Sequence, residues 1–204
     1  MIDLYAAGTA NGMRARIALE ECGLAYTFHP VDLTKGEQKT PTFLSMNPNG
    51  QIPVIVDSEG PGGKPVTVSQ SVAVLLYCAE KSGKFLPKDP AKRPAFWQAL
   101  TSATSDMSAM VTAILTLSRS KDQHGPALEV FKTMWKNYLT VWDSRLGMHR
   151  YAAGDEITIA DFALFGAVGR MKNVQPALVE GFGNVARWID EMAARPAFQR
   201  ALKF

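Results

Sequence analysis

Three short stretches hold residue types from which an anion or peptide site is made. Gly8-Thr9-Ala10-Asn11-Gly12 lies between an apolar run and a helical pattern, where backbone N–H groups at a helix start point outward. A thiolate fits such a place: free thiols have a pKa of about 8.5, and donors from Thr9 and Asn11 would favour the anion, tenfold more thiolate corresponding to about 1.4 kcal/mol. A capped Asn-Gly turn accounts for the same residues. Val68-Ser69-Gln70-Ser71 closes a strand and opens a helix, so Ser71 stands where a ligand carboxylate would be attracted, or where a serine merely caps the helix. Ile52-Pro53 places a proline inside an otherwise continuous strand, which requires an edge, a turn or a cis bond. Lys35 and Gln38, on a polar loop, either meet a second carboxylate or form solvated surface. Tyr5 ends the first strand, within reach of a sulfur or as ordinary packing. His29, His124 and His149 have no acid or nucleophile nearby in sequence, and Cys22 and Cys78 fall in apolar helical patterns where inert core cysteine is the default.

The elements that must position these residues alternate strand and helix through the first part of the chain. Strands are predicted at Ile2 to Tyr5, Tyr26 to Leu33, Ile52 to Val56 and Pro65 to Val68. Helices are predicted at Met13 to Cys22, stopped by Gly23, around Phe43, and along Val72, Leu75, Leu76 and Ala79. Pro87, Pro90 and Pro94 punctuate a polar stretch, so 1–81 is expected to be one domain, 82–92 a linker and 93–204 an all-helical domain. In the latter, Phe96 to Leu117 and Phe131 to Leu146 keep helical period, and Thr158-Ile159-Ala160-Asp161 is a capping box.

The chain of 204 residues is 47% hydrophobic, enough for a sizeable core without staples. Its net charge of +3 comes from interspersed acids and bases, which argues against a nucleic-acid partner. Two distant cysteines suit a reducing, cytoplasmic compartment, and neither a leader nor a membrane span is read. No ligand-spaced cluster suggests a metal.

Taken together, Asn11-Gly12, Asn47-Pro48-Asn49-Gly50-Gln51-Ile52-Pro53-Val54, Gln70-Ser71 and Thr158-Ile159-Ala160-Asp161 resemble the glutathione transferase superfamily along essentially the whole chain. Thr9-Ala10-Asn11-Gly12 with Lys35-Gly36-Glu37-Gln38 is most similar to the bacterial nu class, whose members reduce disulfides with bound glutathione. The resemblance implies an α/β thioredoxin-like N-terminal domain followed by an all-α C-terminal domain, a homodimer, and glutathione as cosubstrate. In a thioredoxin-like domain a cis bond before Pro53 frees the N–H and C=O of Ile52 to pair with an extended peptide. The resemblance accordingly assigns Gln51, Ile52 and Pro53 to the tripeptide backbone, Gln70 and Ser71 to its γ-glutamyl end, Lys35 or Gln38 to its glycyl end, and Thr9 and Asn11 to its sulfur. Gln70 stands where an acid is common, which weakens or relocates the contact to the ligand's amino group. No serine or cysteine occupies the turn after the first strand, so serine-type and cysteine-type mechanisms have no residue here. The leading expectation is thiol–disulfide reduction; conjugation to a hydrophobic electrophile and a non-catalytic binding role are the alternatives.

Overall fold

The computed structural model describes residues 1–121 and 124–204, which divide into two compact units. The first comprises Met1–Leu86 with Ala194–Phe204, the second Pro87–Ala193.

In the first unit, β1 (Ile2–Ala6), α1 (Ala10–Cys22), β2 (Tyr26–Pro30), α2 (Pro41–Met46), β3 (Val54–Asp57), β4 (Val66–Ser69) and α3 (Ser71–Ser82) follow in order. The sheet runs β2-β1-β3-β4, with β1 parallel to β2 and antiparallel to β3, and β3 antiparallel to β4. This is the thioredoxin-like arrangement. Strand alternation divides β1 between two faces: Ile2, Leu4 and Ala6 are buried, as are Ala15, Ile17, Ala18 and Leu19 of α1 and Val74, Leu75 and Cys78 of α3. Tyr5 lies in a separate cluster with Val31, Phe43 and Val54.

Local chemistry moves several boundaries from their predicted places. Thr9 caps α1, so the helix begins at Ala10 rather than Met13, and left-handed Gly23 (φ 71°) ends it as expected. Strand β2 stops at Pro30, short of Leu33, because Asp32 turns the chain by accepting from the Thr34 and Lys35 N–H groups. Strand β3 starts only at Val54, since Pro53 has no N–H for a ladder.

The second unit is helical: α4 (Arg93–Thr101), a π-helical turn (Ser102–Asp106), α5 (Met107–Arg119), α6 (Gly125–Met148), α7 (Ile159–Val174) and α8 (Gly183–Ala193). The predicted stripes form its core, with Met107, Ile114, Trp135 and Trp142 buried. The capping box opens α7, Asp161 also accepting from the Ala152 N–H at 2.8 Å and the Trp188 Nε1–H at 3.0 Å.

The segment carrying α9 (Pro196–Ala201), assigned from sequence to the all-helical domain, belongs to the first unit. It buries Ala197, Phe198 and Ala201 and is further tied to α1 by charge: Arg195 forms a bidentate pair with Glu21 at 2.6 and 2.7 Å, and Arg200 meets Glu20 at 2.7 Å. Arg16 donates to the Lys203 carbonyl and lies over the rings of Phe28 and Phe204.

Candidate functional site

At the start of α1, Thr9 is extended (φ −106°, ψ 168°) and its hydroxyl oxygen accepts from the Gly12 N–H at 3.2 Å, leaving the hydroxyl hydrogen available to an anion. Gly12 is required here, because a Cβ would collide with the carbonyl of Ala7. Asn11 is exposed, yet its amide is oriented. Its Oδ1 accepts from Arg14 Nη1 at 2.8 Å and from Ser71 Oγ at 3.2 Å. A guanidinium has donors only, so the carbonyl must face Arg14 and the Nδ2 donors must face away from it. Arg14 is 1% exposed; burial lowers its pKa to about 10, which still leaves it a cation at neutral pH.

The bond from Ser71 to Asn11 brings the starts of α3 and α1 together across 60 residues of sequence. Gln70, the N-cap of α3, has φ 73°, a conformation that a non-glycine residue adopts at a cost on the order of 1–3 kcal/mol. That backbone leaves Ser71 buried at the first helical position, beside first-turn N–H groups that no intrahelical acceptor can satisfy. Two dipole ends thus meet at one place, one fitted with a carboxamide donor and the other with a hydroxyl.

The third wall is the loop before β3. Asn47, 2% exposed, shapes it by donating from Nδ2 to the Gln51 carbonyl at 2.7 Å and accepting the Asn49 N–H at 3.2 Å. The Ile52-Pro53 bond is cis, as expected. Outside β3 as it is, Ile52 has neither its N–H nor its C=O engaged in a hydrogen bond among the described residues. An unpaired backbone donor and acceptor beside a strand are the groups with which one strand pairs to another.

The remaining predicted residues separate. Gln38 keeps a buried Oε1 without a hydrogen-bond partner among the described residues. Lys35 is 74% exposed and pairs with Asp32 at 3.3 Å. Lys39, on the same loop, donates from Nζ to the Asn49 carbonyl at 3.2 Å and lies over Gly50. Sequence reasoning passed over Lys39, Asn47 and Arg14, and for Asn47 the signal was its place at the head of the motif. Tyr5 is stacked on His29 at 4.6 Å and packed in the Val31, Phe43 and Val54 cluster, and His29 Nε2 lies 2.7 Å from Asp3. Burial pushes the thiols of Cys22 and Cys78 up, so neither is a ready nucleophile. Among the described residues no group of three or more His, Cys, Asp or Glu is placed to hold a metal ion.

A thioredoxin-like sheet thus carries, in one unit, a loop residue with its backbone donor and acceptor unengaged and two helix starts joined by the Ser71–Asn11 bond, the layout of a thioredoxin-like domain that leads into a helical one. Residues 10–81 match the glutathione S-transferase N-terminal domain and residues 106–196 the glutathione S-transferase C-terminal domain. The disulfide-bond oxidoreductase YfcG of Escherichia coli (strain K12) is 35% identical over 204 residues, covering 99% of this chain and 94% of that protein. A glutathione transferase family member from Pseudomonas fluorescens pf-5, solved with two glutathione bound, superposes with a TM-score of 0.94 at 33% identity, over 99% of this chain and 92% of the other. A glutathione transferase from Pseudomonas putida, solved with one glutathione disulfide bound per subunit, gives 0.92 at 32% identity, over 100% and 91%. The chain belongs to the glutathione S-transferase family.

Proposed function

We propose that the protein is a glutathione-dependent thiol–disulfide reductase in which the nucleophile is the bound tripeptide's own thiolate. The observation that carries this reading is Asn11: at the helix start where a side-chain nucleophile would stand, the chain presents a carboxamide whose donors are turned outward by Arg14 and Ser71. The names of two relatives support it, one a disulfide-bond oxidoreductase and one a structure holding glutathione disulfide.

Glutathione lies extended beside Ile52, its γ-glutamyl carboxylate on Ser71 and the first-turn N–H groups of α3, its glycyl end toward Gln38 and Lys39. Its sulfur faces the Thr9 hydroxyl and the Asn11 amide, which stabilise the anion. The thiolate attacks one sulfur of a substrate disulfide; the new S–S bond forms a mixed disulfide as the old one breaks, and the other sulfur leaves as a thiolate that takes a proton from water. A second glutathione thiolate resolves the mixed disulfide, giving glutathione disulfide and the second reduced thiol. The protein supplies position and anion stabilisation.

The work is placed in the reducing cytoplasm, with the protein as a homodimer. Exposed Trp97 on α4 and exposed Val130, Met134 and Val141 on α6 are large apolar side chains that a subunit contact would cover.

Conjugation to an electrophile is the second reading, favoured by an apolar groove of about 590 Å³ lined by Ala109, Thr112, Ala113, Thr116, Leu117 and Phe131. Initial rates with a small disulfide and with halogenated aromatics and enones, all at saturating glutathione, separate the two. Reduction predicts turnover of the disulfide, undiminished per folded molecule when Cys22 and Cys78 are both changed to alanine. Turnover of the electrophiles alone selects conjugation, and no retention on immobilised glutathione selects a non-catalytic role.

A further inference from the structure

Asn11 Oδ1 receives two donors of unequal standing. The Arg14 bond is charge-assisted and short, 2.8 Å, whereas the Ser71 bond is between neutral groups at 3.2 Å. Charge-assisted bonds are roughly twice as strong as neutral ones. The proposed ligand also competes for one of the two. A carboxylate at the start of α3 accepts hydrogen bonds only, and the Ser71 hydroxyl has a single hydrogen to give. When that hydroxyl turns to the carboxylate, Asn11 loses its weaker anchor as the sulfur arrives. Side-chain amides exchange O and N by a simple rotation about χ2, and a rotated Asn11 would present an oxygen lone pair to a thiolate.

Resting on the glutathione-binding reading above, we propose that Arg14 is a positioning residue for the thiolate: its hydrogen bond keeps the Asn11 Nδ2 donors on the sulfur once glutathione has drawn the Ser71 hydroxyl away. Arg14 sits one turn into α1 beneath Asn11, buried to 1% exposure, so its guanidinium is held in place and has little water to bond to instead. Its pKa of about 10 keeps the charge in place at neutral pH. That charge also polarises the Asn11 carboxamide and makes its N–H groups better donors. The neighbouring α1 side chains Arg16, Glu20 and Glu21 are engaged with the 194–204 segment instead.

The test is the pKa of the bound glutathione thiol, read from the ultraviolet absorbance of the thiolate across a pH series. It is measured in the full-length protein, in Arg14→Met, in Arg14→Lys, in Asn11→Ala and in the Asn11→Ala/Arg14→Met double variant. Arg14→Met is expected to raise the thiol pKa by about one pH unit, equivalent to tenfold less thiolate at a pH below both values. It is expected to lower kcat about tenfold while KM for glutathione changes less than threefold. Arg14→Lys restores most of the loss, because an ammonium also donates without accepting. The double variant is no worse than Asn11→Ala alone, because Arg14 acts through Asn11. If Arg14→Met does not fold, Arg14→Leu carries the same comparison, since it too removes both the charge and the donor. A folded Arg14→Met or Arg14→Leu that binds glutathione with an unchanged thiol pKa overturns the inference alone, as does an additive double variant. A wild-type protein that binds no glutathione overturns both the inference and the function on which it rests.

Discussion

At the scale of single residues, the proposed function depends on donors aimed at an anion, and the sequence showed the residue types without showing their connections. Thr9, Asn11 and Ser71 were legible because helix starts can be read from local pattern and their unpaired N–H groups follow from helix geometry. The bond between Ser71 and Asn11 spans 60 residues, and no local spacing encodes it. The partners of the loop lysines were equally hidden: Lys35 and Lys39 both follow β2 on a polar loop, and only the folded loop turns Lys35 to Asp32 and Lys39 to Asn49. Arg14 looked like any helical arginine until its burial was known. Asn11→Ala removes an outward donor from the sulfur, so kcat/KM for a small disulfide should fall about a hundredfold, comparable to losing one oxyanion donor. Steady-state rates on the folded variant check this, and a change below threefold would place the sulfur elsewhere.

At the scale of elements, one buried carboxylate in each unit ties neighbouring elements together, and the one in the first unit steadies the helix that carries Ser71. Asp57 at the end of β3 is bonded to Tyr77 Oη at 2.6 Å and to Lys81 at 2.8 Å, both on α3, the helix whose first turn holds Ser71. Burial would raise its pKa, but Lys81, Tyr77 and the Glu59 N–H outweigh burial and hold it at about 2. A folded-state pKa below the unfolded value of about 3.9 makes the unfolded chain the tighter proton binder, so this stabilisation is full above about pH 4 and is lost as pH falls toward about 2. Asp57→Asn should therefore cost about 2 kcal/mol at about pH 7 and much less near about pH 2, by denaturant melts at both pH values. Asp161 is the counterpart in the helical unit, raised to about 6 by burial although four hydrogen bonds favour its charge. Asp161→Ala leaves the Ala152, Thr158 and Trp188 N–H groups buried and unpaired, an expected loss of about 3–5 kcal/mol, visible as a lower urea midpoint. That capping box was legible because its residues lie within four positions. The π-helical turn at Ser102–Asp106 was not, nor was the placement of α9, which rests on long-range contacts: the burial of Phe198 and ion pairs such as Glu21 with Arg195, 174 residues apart.

At the scale of the whole molecule, family and fold were readable because motifs in a fixed order carry them, whereas the ligand contacts need the folded chain. Anything that binds only the native state stabilises it by mass action, about 2.7 kcal/mol at a hundred times Kd. Glutathione should therefore raise the thermal midpoint with a concentration dependence set by its Kd. A tripeptide lacking the γ-glutamyl carboxylate should raise it far less, since Ser71 and the α3 N–H groups then have no anion to bind. The most direct measurement of the central claim is a crystal structure of the protein grown with millimolar glutathione. The account predicts the cysteinyl backbone paired with Ile52, a carboxylate against Ser71, and the sulfur within hydrogen-bond distance of Asn11 Nδ2. An empty groove beside Ile52, or a tripeptide bound with its sulfur away from the start of α1, would contradict it.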